Sequence, residues 1–557
     1  MTSPLQIPLH PGYQLRRDLR RHWALFLGLA VALSIWCAVD VARRAIVDPQ
    51  KPHLHMTDFT VYTEAGAAFF DGREPYDVSN IRGWKYLYPP LFALLVAPLA
   101  ALSPPWQATV WFGLSSLMAL GCYVECRLLL ERLSKGTGTT DRLADDQEQF
   151  WIPHWEMATW ILAPLFPILN CLQRGQMGLA ILYPLLLGFR LVCRGSSWPA
   201  LLGGGILLAL PIALKVTPAL PVACVLATLM VAAGLRRRDQ WTDGANTDRG
   251  APRFFGLQTV HPSTTAEISN QSPDGSPKTK RRLALFDPSS PSAPINLVEP
   301  TQLSSFGRAV WPLTGVLAGG ALFLFLLPAA LLGWNRNLEH LQTWHQRVGS
   351  RINDVRSDDF GENVASFRNQ SLMNALFRCG NWVSHQFLGG PDDVRMDVTR
   401  GEMPMDAPLV GHILTIVRIA ALLALGGVIF IAGRTGAPGL AELAFGLAGV
   451  AALVVSPVSR GHYYVFWLPA VVLLPRWLII QGHPRRARWM ATIPAGLTLL
   501  HYVLLPYAGR VGLLGIGAAA WYFAACYQTC TIRTASNALE AAQREETPED
   551  LPLARAA

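Results

Sequence analysis

Hydrophobic residues run along this chain in blocks rather than at amphipathic spacing. WALFLGLAVALSIWCAV (23–39), PLTGVLAGGALFLFLLPAALL (312–332) and HILTIVRIAALLALGGVIFIA (412–432) are nearly uninterrupted. Each comes close to the ~20 apolar residues that cross a bilayer as a helix. Further apolar segments lie at 88–102, 106–130, 155–172, 177–193, 199–214, 217–235, 438–455, 461–480, 488–507 and 511–530. The pattern predicts an all-α polytopic integral membrane protein with roughly eleven to thirteen crossings. Its parity is open in one place. Segment 88–102 is short and bounded by Pro89, Pro90, Pro98, Pro104 and Pro105, so it either crosses or re-enters the face it came from.

The polar stretches between the blocks divide the chain. Residues 1–22 read as a cytoplasmic leader, and 23–235 as an N-terminal transmembrane module with an outer loop at 40–87. Residues 236–308, rich in Pro, Ser, Thr and charge, read as a disordered cytoplasmic insert. Within it, KTKRR (278–282) suits a solvated linker or a patch for lipid headgroups or a partner. Residues 309–530 form a C-terminal transmembrane module with an outer loop at 334–407, and 531–557 a polar tail. A loop of about 75 residues is too long for a simple connection.

Composition agrees with the pattern. Of 557 residues 51% are hydrophobic and 15% charged, where soluble proteins carry about 25% charged residues. The net charge of +9 does not point to nucleic acid. Arginines gather beside apolar blocks, at Arg16, Arg17, Arg20 and Arg21, at Arg236 to Arg238, and at Arg485, Arg486 and Arg488, as the positive-inside rule requires. That orients segment 23–39 outward and puts Asp58 on the non-cytoplasmic side. The nine cysteines lie mostly in apolar segments with no C-x-x-C spacing, which argues against a disulfide framework or a thiolate metal site.

One stretch carries more chemistry than a membrane linker needs. DFTVYTEAGAAFFDGREPYDVSNIRGWKYLYPPLFALL (58–95) combines acids, aromatics and Gly–Pro turn signals. Two roles are open to Asp58: a helix N-cap before TVYTEAGAAFF, or a general base for an attacking hydroxyl. Tyr86 and Tyr88, before Pro89–Pro90, sit where interfacial aromatics anchor a chain. Gln173, Arg174, Gly175 and Gln176 interrupt two apolar runs. Lys215, a rare lysine within LPIALKVTPALP, fits a phosphate partner at a broken helix end or a side chain snorkelling to the interface. FRNQSLMNALFR (367–378) offers Arg368, Asn369, Gln370 and Arg378 to phosphate or sugar hydroxyls, or forms a surface amphipathic helix. SPVSRGHYYVFWLP (456–469) opens a crossing with Ser456, Arg460, His462 and Tyr463 at its mouth. There is no D-x-D acid pair and no G-x-x-x-x-G-K-[ST] phosphate loop. A transferase built this way would draw its donor from a membrane lipid rather than a nucleotide sugar.

The order D-x3-Y, G-x2-PY, YPPLFALL, Q-x-GQ, K-x2-P, NQSL…R and SP-x4-HY resembles glycosyltransferase family 87. The resemblance runs from about residue 23 to about residue 480, interrupted by the insert. It implies a GT-C fold and similarity to polyprenyl-phosphate-mannose-dependent α-1,2-mannosyltransferases. By the same resemblance, Asp58 is catalytic and Lys215, Arg378 and His462 hold the donor phosphate. Tyr62, Tyr76, Tyr88, Gln173, Gln176, Asn369 and Gln370 would contact substrate. The implied partners are a polyprenyl-phosphate sugar, a glycolipid or glycan acceptor and the lipid bilayer, with no nucleic acid, cofactor or metal. Transfer, with mannose the expected sugar, would proceed with inversion on the outer face of the plasma (inner) membrane. Two departures stand out: QRGQMG replaces the usual Q-N-G-Q-x-N, and RGHYY replaces a His pair. The rival readings are a flippase or transporter of lipid-linked sugars and a protein O-glycosyltransferase.

Overall fold

The apolar blocks fold as helices, because a helix satisfies every backbone polar group where water cannot. The computed structural model describes residues 23–44, 54–81, 83–135, 154–247, 304–349, 368–376, 378–379, 408–437 and 439–546. The expected leader 1–22, the core of the insert with KTKRR, and most of outer loop 334–407 lie outside the described residues.

In chain order the helices are α1 (Trp23–Arg44), α2 (Phe59–Asp71), α3 (Pro90–Val96), α4 (Pro104–Lys135), α5 (His154–Arg174), α6 (Gly178–Arg194), α7 (Trp198–Leu214) and α8 (Ala219–Thr247). After the insert come α9 (Ser305–Gly320), α10 (Leu327–Leu332), α11 (Trp334–Trp344), α12 (Pro408–Thr435) and α13 (Leu440–Val455). A 3₁₀ turn (Gly461–Trp467) then leads into α14 (Leu468–Ile480), α15 (Pro484–Val503), α16 (Leu505–Val511) and α17 (Leu513–Glu546). Among the described residues, β pairing is limited to two isolated bridges, Ser79–Lys85 and Asn369–Arg460. Among the described residues, four helical runs are long and apolar enough to cross a bilayer: Pro104–Glu131, Phe306–Leu332, Gly411–Thr435 and Gly461–Ile480. Shorter apolar helices stand beside them at Trp198–Leu214, Ala219–Leu235 and Leu440–Val455. The protein is an all-α polytopic integral membrane protein.

The segment of open parity is short. Its helical run, Pro90–Ala101, rises about 18 Å at 1.5 Å per residue, well under the ~30 Å hydrocarbon thickness. It does not cross alone, and the chain turns at Ser103 into α4. Two helices outrun their apolar blocks. α8 continues past residue 235 to Thr247, and α17 past residue 530 to Glu546. No proline interrupts either extension, and the Ala, Gln, Arg and Glu that end α17 are strong helix formers.

Two packings position the site. α7 crosses α9 so closely that a Cβ on Gly205 or Gly315 would overlap the facing backbone, the small-residue contact by which membrane helices approach one another. That fixes the end of α7, where Lys215 stands. α13 is buried along almost its whole length. Its Phe445 stacks on Phe189 of α6 at 4.0 Å between centroids, and this anchors the 456–463 segment that follows.

Candidate active site

Asp58 occupies the N-cap position of α2, yet its carboxylate makes no capping bond. Its backbone N–H donates to the Arg174 carbonyl at 2.8 Å, and its side chain turns into a cavity. There Oδ2 accepts from Gln176 Nε2 (2.5 Å) and Oδ1 accepts from Asn80 Nδ2 (2.9 Å). With the carboxylate only 4% exposed, these two amide donors offset much of the cost of burying its charge. The local turn makes this possible. Gly175 has φ +68°, and a Cβ there would lie 2.8 Å from Phe59 Cβ. Only glycine adopts that left-handed backbone at no steric cost, so Arg174 and Gln176 both reach the start of α2.

Tyr62, one turn further along α2, donates to Gln176 Oε1 at 3.4 Å. Its ring meets Phe92 edge-on at 5.0 Å and Tyr88 at 5.5 Å. Burial raises both phenols well above the usual tyrosine range, so both remain protonated donors.

The cavity has a volume of about 340 Å³, and Asp58 supplies the sole carboxylate among its described lining residues. Lys215, Arg460 and His462 line it too. Lys215 follows α7 as its C-cap residue, its N–H donating to the Pro211 carbonyl at 2.9 Å. Its ammonium lies 3.5 Å from the centroid of the Tyr463 ring and 5.5 Å from that of Tyr88. The charge therefore points into the cavity, not along the helix toward a membrane surface. The Arg460 guanidinium lies 4.0 Å over the Trp84 ring. His462 is 2% exposed, and neither ring nitrogen makes a hydrogen bond to a described residue. Arg174, Lys215 and Arg460 all act electrostatically on that imidazole. Lys215, Arg460 and the imidazole of His462 thus face one small space, an arrangement able to take an anion.

Beside the cavity lies an apolar groove of about 260 Å³. It is walled by Ile212, Leu324, Phe325, Leu338 and Leu341, and it shares Pro89, Val216 and Trp344 with the cavity.

Of the residues expected to act on donor or substrate, Asp58, Tyr62, Tyr88, Gln176, Lys215 and His462 line this cavity, joined by Ser456, Arg460 and Tyr463 from the mouth of the 456–469 segment. Five are placed outside the lining. Tyr76 is buried against Tyr86 and Phe69, with centroids 5.7 and 6.5 Å away. Gln173 reaches back to Asp40 of α1 at 3.5 Å. Asn369 donates from Nδ2 to the Pro457 carbonyl (3.2 Å) and accepts at Oδ1 from Ser459 N–H (2.9 Å). Gln370 N–H donates to the Ser459 carbonyl at 2.7 Å. Arg378 donates to the Asn369 carbonyl at 3.2 Å, and burial pushes its guanidinium down to about 10. These last three pin the backbone that carries Arg460. Asn80 and Trp84 were not singled out. Their only sequence signal was the turn-forming composition of SNIRG, which announces a reversal of the chain but not its target. Among the described residues no group of three or more His, Cys, Asp or Glu stands close enough to hold a metal ion.

The model for glycosyltransferase family 87 matches residues 86–244. This is the family that the ordered motifs resemble. A curated relative, the polyprenol-phosphate-mannose-dependent alpha-(1-2)-phosphatidylinositol mannoside mannosyltransferase of Mycolicibacterium smegmatis, is 28% identical over 207 residues. That alignment takes in 35% of this chain and 42% of the relative, so the chain spans less than half of that protein's length. No solved structure matches. Over residues 86–244, the stretch that carries Tyr88, Gln176 and Lys215 of the cavity, the chain is similar to glycosyltransferase family 87.

Proposed function

We propose that the protein is a membrane glycosyltransferase that moves a sugar, mannose by likeness to the relative's named donor, from a polyprenyl phosphate to an acceptor hydroxyl. The observation that carries this reading is one cavity lined by a single buried carboxylate, Asp58, and by Lys215, Arg460 and His462. Asp58 takes the proton of the acceptor hydroxyl as its oxygen attacks the anomeric carbon. The bond from that carbon to the phosphate oxygen breaks, and the electron pair leaves with the polyprenyl phosphate. Lys215, Arg460 and His462 stabilise the charge that develops there. Asp58, as the one carboxylate among the described lining residues, fits a single displacement with inversion, which needs a base and no enzyme nucleophile.

The apolar groove contiguous with the cavity supports a lipid donor. It begins at Val216, next to Lys215, so an isoprenoid tail would leave the cavity beside the residue that holds its phosphate. The acceptor, a glycolipid or glycan, and a location on the outer face of the plasma membrane follow from the resemblance and from the arginine distribution. Phosphatidylinositol mannosides, named for the relative, are the first acceptors to test.

The test is Asp58→Asn, assayed for transfer from labelled polyprenyl-phosphate mannose to glycolipid. General-base loss should lower turnover by about 100-fold or more, while binding of the donor persists. Wild-type turnover in that variant would overturn the assignment.

A further inference from the structure

We infer that Asn80 is a positioning residue for Asp58, setting the orientation of the carboxylate from the tip of a small hairpin. The inference rests on the reading of Asp58 as the general base. Asn80 is 3% exposed, and every polar group it owns is engaged. Its Nδ2 donates to Asp58 Oδ1 at 2.9 Å and its Oδ1 accepts from Trp84 N–H at 3.0 Å. Its backbone N–H donates to the Trp84 carbonyl at 2.9 Å, and its carbonyl accepts from Gly83 N–H at 2.9 Å. The Ser79–Lys85 bridge and the bond from Tyr86 N–H to the Val78 carbonyl (3.1 Å) close the hairpin behind it. Asn80 is thus a rigid bracket whose one outward-facing donor grips Asp58.

The geometry gives that grip a purpose. A carboxylate offers about four lone-pair sites. Gln176 and Asn80 occupy one on each oxygen, which fixes the plane of the group and leaves one site per oxygen for the acceptor hydroxyl. With Gln176 alone the group could rotate about that single bond. Misplacement of a catalytic group by about 1 Å costs on the order of 100-fold in rate. The bracket also reaches the opposite chemistry of the cavity, because Trp84, whose N–H Asn80 holds, carries the Arg460 guanidinium on its ring. The expected position of the departing phosphate and that of the base are therefore joined through Trp84 and Asn80.

Asn80→Asp separates positioning from folding. The new carboxylate still accepts from Trp84 N–H, so the hairpin keeps its closing bond. It can no longer donate to Asp58, and instead puts a second carboxylate at hydrogen-bond distance from the first. Two such groups share a proton instead of ionising independently. The charged and titratable groups that share the cavity with Asp58 are otherwise unchanged: Tyr62 on α2, Lys85 on the hairpin, Tyr88 beyond it, Lys215 after α7, and Arg460, His462 and Tyr463 before α14.

The experiment is the pH profile of kcat for wild type, Asn80→Asp and Asp58→Asn, with labelled polyprenyl-phosphate mannose as donor. For Asn80→Asp the acid limb should move up by about one pH unit or more, and a loss of about tenfold or greater should remain on the alkaline plateau, where the Nδ2 donor is still missing. A profile superimposed on wild type, or an alkaline plateau restored to the wild-type rate, overturns the inference. Turnover surviving in Asp58→Asn removes the base itself; an inactive Asp58→Asn beside an unmoved Asn80→Asp profile removes only the positioning role. Should Asn80→Asp not be recovered folded, Asn80→Ser replaces it. Its hydroxyl keeps a local acceptor for Trp84 N–H but cannot reach Asp58. It should lose about tenfold or more in kcat with the donor KM within about twofold, and wild-type kcat would overturn the inference.

Discussion

The Lys215 ammonium lies 3.5 Å from the centroid of the Tyr463 ring, joining the end of α7 to the 3₁₀ turn that precedes α14. A cation held over an aromatic face keeps its charge partly desolvated and aimed, which suits a group meant to meet an anion. Lys215→Met should raise the donor KM by about tenfold or more, the loss of one charge-assisted contact. Lys215→Arg should recover part of that affinity. Titration of activity against polyprenyl-phosphate mannose checks both, and an unchanged donor KM in the methionine variant would assign Lys215 to packing alone.

Gly175 bears on both stability and rate. Its φ of +68° and the 2.8 Å approach to Phe59 Cβ leave no unstrained place for a side chain. Gly175→Ala should cost about 1–3 kcal/mol and depress transfer, because the same turn presents the Arg174 carbonyl and Gln176 to Asp58. Gly203 of α7 is the control, with open space where a Cβ would go; alanine there should be neutral or stabilising by up to about 1 kcal/mol. Melting in detergent followed by fluorescence distinguishes the two. Equal melting temperatures would show that the α5–α6 turn tolerates the strain.

His55 predicts a pH dependence of stability. It is fully buried before α2, with Nδ1 3.3 Å from Thr57 Oγ1 and Nε2 3.4 Å from the Val41 carbonyl. Burial lowers its affinity for a proton, with Arg44 adding to the effect and the Val41 bond and Asp40 opposing it. The unfolded chain takes up that proton near pH 6.5, whereas the folded one resists. Stability is therefore full above that pH and falls on acidification until the folded pKa is reached. Melting temperature should drop between about pH 7 and pH 5, and His55→Gln should flatten that slope. Identical slopes would mean that other groups dominate the window.

Much of this arrangement was legible in the sequence, for reasons that differ by residue. The helices were, because hydrocarbon imposes a length and polarity rule that few residues break. Gln176 and Lys215 were placed at the cavity because an amide or a charge amid apolar residues is costly enough to need an explanation, whereas Asp58, in a polar loop, stood out only through the resemblance of its motif. The polar extensions of α8 and α17 were not, since a helix leaving the membrane loses its apolar signal but not its backbone pattern. Arg378 and Asn369 show a deeper limit. A guanidinium and an amide that would grip a phosphate are equally suited to gripping a loop's carbonyls, and only the fold decides which. Asn80 was invisible for the converse reason. Its bond to Asp58 spans a hairpin whose register no pattern of hydrophobicity records.

The contact between Cys171 Sγ of α5 and the His462 carbonyl, at 3.4 Å, joins the two halves of the cavity. During synthesis Asp58, Asn80, Gln176 and Lys215 emerge first, and Arg460, His462 and Tyr463 only after the insert and α9 to α13 have been made. Neither half of the cavity lining is complete alone: a chain that ended within the insert would carry Asp58 and Lys215 and lack Arg460, His462 and Tyr463.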